Sequence, residues 1–350
     1  LELFTEIKER RNAQPNVNFT VPFEIPDPDK AGAVFRIVGN PNLGYVRGAM
    51  VGVRNVDSVK AQTHCVEVWL NELRLTGLSN RGGFASQARL DLKLADLGNV
   101  SSAFGYSSAG WRAIDQRLGQ TQLTEVLQYD VSTNIELHKF LPQKWGVRIP
   151  FYAQYSNITK TPEYDPYDLD LKLRDKLRSE TDRTARDSIR TAAEDVVINR
   201  GYNFTNVRKE RKNGSRKPMP WDVSNFSLTY AYNQQKRRDP FISNAEQNQY
   251  KGGLDYQYAT GMKPITPFKK LVKKDKYLKF ISEFNFNPIP NTYGFNSNME
   301  RLQSVTTYRF VGENTDPALN TFYNRRLTWD RNYDLSWDIT RALKFNFDAT

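Results

Sequence analysis

The sequence predicts an all-β chain of antiparallel strands, with one helix set into a long connection. Three observations carry this. The first is alternation: Leu127, Tyr129, Val131, Thr133, Ile135 and Leu137 point one way, and Gln128, Asp130, Ser132, Asn134, Glu136 and His138 point the other. A strand has a side-chain period of two, so the segment has one dry face and one wet face. The second is recurrence. Leu90, Leu92 and Leu94 alternate with Arg89, Asp91 and Lys93, and Tyr333, Leu335, Trp337 and Ile339 alternate with Asn332, Asp334, Ser336 and Asp338. The third is composition: 39% of residues are hydrophobic and 13% aromatic, at a mean hydropathy of −0.67. No apolar run approaches the ~20 residues of a spanning helix, whereas strands of a membrane barrel alternate and average out as polar.

Taken in order, residues 1–78 read as a small β-rich region, soluble or capping. LELFTEIKERR (1–11) suits a short helix, 16–32 a strand and a Pro-rich turn, 34–56 two short strands, and 66–78 another strand; a small β-sandwich accounts for them. Residues 79–350 read as barrel strands with a loop helix at about 172–200, where Leu177, Ala185, Ile189, Ala192 and Val196 give a thin apolar stripe. Strand runs continue through Val100–Tyr106, Val147–Tyr155, Phe226–Tyr232, Tyr250–Tyr258, Tyr293–Met299 and Phe345–Phe347. Pro150 cannot donate a ladder hydrogen bond, so a bulge or strand end is expected there. The connections 95–99, 139–146 and 340–344 are short, and 157–201, 234–248 and 303–328 are long and fall at the opposite strand ends. Residues 259–283 break this rule.

Alternation alone does not separate a soluble sandwich, whose dry faces pack on each other, from a barrel, whose dry face meets lipid. Three features favour the barrel: polar residues at successive places on the wet faces, unequal connections, and aromatics near strand ends (Tyr155, Trp221, Tyr258, Trp329). The alternatives are a soluble β-sandwich module binding glycan or protein, and a smaller nutrient-uptake barrel.

Catalytic material is sparse, and no enzyme is expected. Cys65 is the one cysteine, so no intrachain disulfide forms. His64 and His138 are the two histidines, too few for a zinc set at recognised spacing. GYSSAG (105–110) lacks nucleophile-elbow spacing, and GNPNLG (39–44) reads as a turn. DPYDLD (165–170) clusters Asp165, Asp168 and Asp170 without an EF-hand pattern, so a solvated loop is preferred over calcium. No catalytic, cofactor or metal residues are therefore assigned. The formal charge is +11, concentrated in 208–217, 235–238 and 269–279. No nucleic-acid-binding motif accompanies these runs, which fit a solvated rim or contacts with lipid phosphates. The chain begins at Leu1 and stops within an alternating run, as expected of a segment of a larger protein.

Several pieces resemble the SprA/Sov family, the giant outer-membrane translocon of type IX secretion in Bacteroidetes. They are VEVWLNELRLTG (66–77), GGFASQARLDLKLADLGNV (82–100), ELHKFLPQKWGVRIPFY (136–152), NFTNVRKER (203–211), NFNPIP (285–290) and WDRNYDLSWDITRALKFNFDA (329–349). The resemblance implies a segment of a very large antiparallel transmembrane β-barrel in the Gram-negative outer membrane. It implies export of folded cargo proteins through a wide polar lumen, with a link to gliding motility. It also implies partners: the cargo, a smaller cargo-accepting barrel, a periplasmic plug protein and outer-membrane lipids. On that frame the alternation assigns Gln128, Asp130, Asn134, Glu136, Asn332, Asp334 and Asp338 to the lumen. It assigns Leu127, Tyr129, Val131, Ile135, Leu137, Tyr333, Leu335 and Trp337 to lipid.

Overall fold

The computed structural model describes residues 2–14, 17–43, 46–53, 65–69, 71, 80–117, 120–211, 219–261, 264–270, 281, 283–309 and 320–350. The chain divides into two compact units. One comprises Leu1–Ala85, Ser107–Val126 and Lys160–Glu194; the other comprises Ser86–Tyr106, Leu127–Thr159 and Asp195–Thr350.

The second unit is built from one antiparallel sheet. Its strands are β3 (Ala85–Leu94), β4 (Gly98–Ser107), β5 (Thr124–Glu136), β6 (Val147–Arg148), β7 (Pro150–Pro162), β10 (Asp195–Lys209), β11 (Phe226–Arg238), β12 (Ile242–Ala259), β13 (Thr292–Tyr308), β14 (Thr321–Asp338) and β15 (Lys344–Ala349). The spatial order runs β15-β14-β13-β12-β11-β10-β7-β5-β4-β3, with β6 also on β10. Apart from the hairpin at 164–172 and the β6–β10 pairing, neighbours in the sheet are neighbours in the chain. β3 and β15 lie at opposite ends of this order, so the sheet stays open within this chain.

The break between β6 and β7 falls at Ile149, before Pro150, as its missing donor requires. A second irregularity lies between Phe204 and Val207, where Asn206 takes a left-handed conformation (φ +56°) that asparagine tolerates. At the start of β4, Gly98 has φ +153°, and a Cβ there would lie 1.9 Å from the Asn134 carbonyl oxygen, so the β4–β5 approach depends on glycine.

Several strands outrun the sequence expectation. The residues expected as a long loop at 234–248 are strand: β11 runs to Arg238, β12 starts at Ile242, and Asp239 closes the turn by accepting from the Phe241 and Ile242 amides, each at 2.8 Å. Likewise β13 and β14 cover 303–308 and 321–328. Polar residues stand on both faces there, so alternation is silent although the backbone ladder continues. The expected asymmetry of connections therefore does not hold. The end with the tight β3–β4 turn also carries the long connections 210–225 and 260–291.

The 172–200 helix is also redrawn. It forms α2 (Leu173–Ser179) and α3 (Arg183–Ala193), and β10 begins at Asp195. Asp182 interrupts the helix by capping α3, accepting from Thr184 N at 3.2 Å and Ala185 N at 3.1 Å. The β-branched run VVI (196–198) then favours strand.

The first unit holds α1 (Glu2–Asn12), the hairpin β1 (Phe23–Pro26) with β2 (Val34–Ile37), the hairpin β8 (Tyr164–Asp165) with β9 (Asp168–Lys172), and α2 and α3. Of the sandwich expected in 1–78, only β1 and β2 form among the described residues. Residues 46–53 and 65–69 are irregular, and the rest of the strands expected at 45–56 and 66–78 lies outside the described residues. Ile7, Ile25 and Ile37 form a small core with Phe4, Phe23 and Phe35 against it. Burying each isoleucine contributes about 1.5–3 kcal/mol before entropy is counted.

A buried cation completes this unit. Lys8 Nζ is fully buried, 2.5 Å from Asp168 Oδ1, 3.0 Å from Asp170 Oδ2 and 2.8 Å from the Pro41 carbonyl oxygen. Asp165 is buried against Lys176. The DPYDLD carboxylates are thus neutralised by lysines. Nearby, Arg11 donates to the Gly39 carbonyl and stacks over Phe19; burial lowers its pKa, and the Asp168 carboxylate opposes that.

Removing one partner of a buried ion pair leaves the other unpaired, at about 3–5 kcal/mol. Lys8→Met is therefore expected to strip hydrogen-exchange protection from α1 and from 168–172, leaving β11–β14 protected. Unchanged protection in α1 would contradict this role for Lys8.

Candidate functional site

The sheet itself is the candidate site, because its two faces differ in kind. Paired residues in antiparallel strands share a face. One row across β14, β13, β12 and β11 holds Tyr333, Phe295, Tyr256 and Phe226, and another holds Trp329, Met299, Gly252 and Tyr230. Between them lies Arg331, Ser297, Leu254 and Leu228. At one border stand Leu335, Tyr293, Tyr258 and Phe347; at the other stand Leu327, Arg301, Tyr250, Tyr232 and Tyr202. Rings meet along these rows: Tyr202 to Tyr232 at 6.4 Å, Tyr232 to Tyr250 at 5.0 Å, and Tyr258 to Tyr293 at 6.2 Å between centroids.

This apolar face is a band with an edge. One row beyond the tyrosine ladder, the same face holds Arg325, Gln303, Asn248, Gln234 and Arg200. Next come Glu246 and Lys236, paired at 3.4 Å. Leu327 and Trp337 bound the apolar stretch of β14; at ~3.4 Å rise per residue it runs about 34 Å along the strand, or about 25 Å high at a ~40° tilt. Among the described residues the middle of the band lies open, with Leu228 56% exposed, Leu327 63% and Trp329 55%, while Tyr256 and Trp337 donate to the Pro220 and Asn287 carbonyls of the adjoining connections. Among the described residues of the sheet, the buried apolar side chains are Val196, Ala231 and Tyr258. Arg301 stands in the border row and Arg331 lies deeper inside the band, where its guanidinium stacks 4.5 Å from the Trp329 ring, which spreads the charge over a π face.

The opposite face is mainly polar, with Leu302, Phe322 and Ala231 as apolar residues among its rows. Rows there hold Asn332, Asn296, Asp255 and Ser227; then Asp330, Asn298, Gly253 and Thr229; then Asn324, Ser304, Gln247, Gln235 and Asn199. Its groups bond one another. Glu300 accepts from Gln249 at 2.7 Å and lies 3.5 Å from Lys251 and 3.7 Å from Arg326. Gln235 donates to Asn199 at 3.0 Å, and Asn199 to Ser156 at 3.2 Å. A shallow groove on this side is lined by Asp130, Ser132, Gln154, Asn199, Gln235 and Gln249. No cluster of metal-ligating side chains occurs among the described residues.

A family model described as motility related/secretion protein, SprA_N, matches residues 1–177. The chain belongs to this family. No match to a curated protein accompanies it. In this SprA_N chain, each residue singled out from alternation can now be located. Asp130 lines the polar groove, and Gln128 lies on the side toward which Gly105 would point a Cβ. Asn134 and Glu136 share their strand parity, with Glu136 at the end of β5, 3.9 Å from Arg148. Asn332 stands opposite Asn296, and the Asp334 carboxylate lies over Gly294. Asp338 is tied into a turn: it accepts from Asn291 Nδ2 at 2.8 Å, and its carbonyl accepts from Asn287 at 2.8 Å.

On the other parity, Tyr129 lies 6.0 Å from Tyr155, with Leu127, Val131 and Ile135 in step along β5. Tyr333 lies 5.0 Å from Phe295, and Leu335 stands opposite Phe347. Two residues depart from a free strand face. Leu137 begins a 3-10 turn, Leu137–Phe140, because β5 ends at Glu136. Trp337 donates through Nε1 to the Asn287 carbonyl at 2.9 Å. The aromatics expected near strand ends also shift. Tyr155 and Trp329 fall inside longer strands, Trp221 lies outside the strands, and Tyr258 alone sits next to a strand end.

Sequence reading did not find the Tyr202–Tyr232–Tyr250 ladder, since register across strands is invisible in one strand's alternation. Nor did it find the polar row beyond, whose signal was a loss of contrast between faces. The basic runs at 212–217 and most of 269–279 lie outside the described residues.

The polar face is a wetted surface rather than a stapled core, so partly exposed ion pairs there contribute little. Glu300→Ala is expected to change stability by under about 1 kcal/mol in denaturant unfolding. A loss of several kcal/mol would mean that the face is a packed core.

Proposed function

We propose that this chain forms part of the wall of a protein-conducting β-barrel in the outer membrane, through which folded cargo is exported in motility-linked secretion. The observation that carries the reading is the bounded apolar band, about as tall as a bilayer's hydrocarbon layer and backed by a polar face. A soluble sheet would cover such a face with a second layer. A barrel wall turns it to lipid and ends it with aromatic girdles, as the tyrosine rows do. The polar face then lines the lumen. A wide lumen is not filled by side chains, so its wall must be wettable and needs no reacting group.

In this reading the open edges at β3 and β15 are completed by further strands, which protects them from indiscriminate pairing. Moving folded proteins through such a wall calls on other chains: the cargo, a smaller outer-membrane barrel that accepts it, and a periplasmic plug.

Neighbouring residues on β13 provide the test. In a Cys65→Ser background and in membranes, Asn298→Cys is expected to react with a charged, membrane-impermeant thiol reagent, and Met299→Cys to be protected until the membrane is dissolved. Equal labelling of both in intact membranes would overturn the proposal. Leu254→Arg, at the centre of the band, is expected to destabilise the lipid-embedded sheet by about 2–4 kcal/mol in reversible unfolding. A change near zero would remove lipid from that face.

A further inference from the structure

The first compact unit carries a feature that a channel wall does not use. α2 and α3 flank a cleft lined by Arg174 and Arg178 from α2 and by Arg186 and Arg190 from α3, with Arg81 also on its lining. Within each helix the two arginines are spaced i, i+4, so they are neighbours on one helix face, and like charges at that spacing repel. Two such pairs converge on one cleft.

Lys172 also lines the cleft, and the carboxylates of Glu125, Glu163, Asp175 and Glu194 answer only part of this charge. Arg178 lies 3.8 Å from Asp175, and Arg81 3.1 Å from Glu163. Glu194, also on the lining, accepts from Thr161 Oγ1 at 3.5 Å. Arg186 donates through Nη2 to the Glu180 carbonyl at 2.8 Å, and its Nε is buried without a hydrogen-bond partner. Arg174 and Arg190 form no ion pair among the described residues. Guanidinium groups present planar forks that match phosphate oxygens two at a time, and all four of these helix positions are arginine rather than lysine. Leu173 and Leu177 add an apolar floor on the α2 side.

We propose that this cleft binds a ligand with clustered phosphates, Arg174 and Arg190 gripping oxygens from opposite helices and the free Arg186 Nε donating from within. The proposal does not depend on the channel reading, since it concerns the other compact unit. Phosphates of this kind come either from a free anion or from a phosphorylated lipid headgroup.

The test uses the full chain in neutral detergent, titrated with inorganic pyrophosphate by calorimetry. In parallel, it is floated with phosphatidylcholine vesicles with and without lipid A. Saturable pyrophosphate binding is expected, weakening as salt rises and falling at least about tenfold in the Arg174→Gln/Arg190→Gln variant. Lipid A vesicles that retain the chain and release it to pyrophosphate identify a headgroup; pyrophosphate binding without vesicle retention identifies a free anion. Both side chains are exposed and each lies four residues from another arginine on its own helix, so the variant is expected to keep the wild-type unfolding midpoint. Arg10→Gln, which removes an exposed charge on α1, is expected to keep full affinity. Failure to bind pyrophosphate or lipid A overturns the proposal, as does equal binding by the double variant or equal loss in Arg10→Gln.

Discussion

The antiparallel ladder is the constraint from which the rest follows. It pairs backbone groups between strands, so their N–H and C=O groups are satisfied whatever medium meets the two faces. It also sends successive side chains to opposite faces, so a long strand must show two surfaces to two media. From β11 to β14 the strand pairings keep the surfaces in register, with Phe226, Tyr256, Phe295 and Tyr333 on one side and Ser227, Asp255, Asn296 and Asn332 on the other. Register turns single alternating strands into a continuous apolar band.

That band also explains what the sequence made legible. Where one face is apolar and the other polar, as along Tyr333–Trp337, strand and parity are readable residue by residue. Where both faces turn polar, as at Gln234–Arg238 and Glu246–Asn248, contrast vanishes and the strand reads as loop, although its backbone pairs as before. The helical segment failed for a different reason. Asp182 is an ordinary helix-surface residue by periodicity, and it becomes a break only through the amides it caps. The Lys8 clip joins residues 160 positions apart in the chain, beyond any local pattern. The arginine pairs of α2 and α3 were readable as i, i+4 spacing, but their convergence needed the turn at 180–182.

The scarcity of chemistry has a physical counterpart in the polar face. Its carboxylates are held by amides and cations, Glu300 by Gln249, Lys251 and Arg326, and Asp255 by Asn296. Such a surface is wet and partly neutralised, as the proposed channel wall requires. Arg331 is the point of tension within the apolar band. On the proposed reading, a bare guanidinium at that depth is costly in lipid, and its stack on Trp329 offsets part of the cost.

The central claim is that lipid meets the apolar face between Leu327 and Trp337. Spin labels placed one at a time from Tyr323 to Asp338, in a Cys65→Ser chain reconstituted in bilayers, test it most directly. Collision rates with oxygen and with a water-soluble nickel chelate report the medium at each site. The account predicts period-two alternation, with oxygen favoured at odd positions from 327 to 337, nickel favoured at even positions, and the contrast lost at 323 and 325. Nickel access on both faces throughout, or on neither, would contradict it.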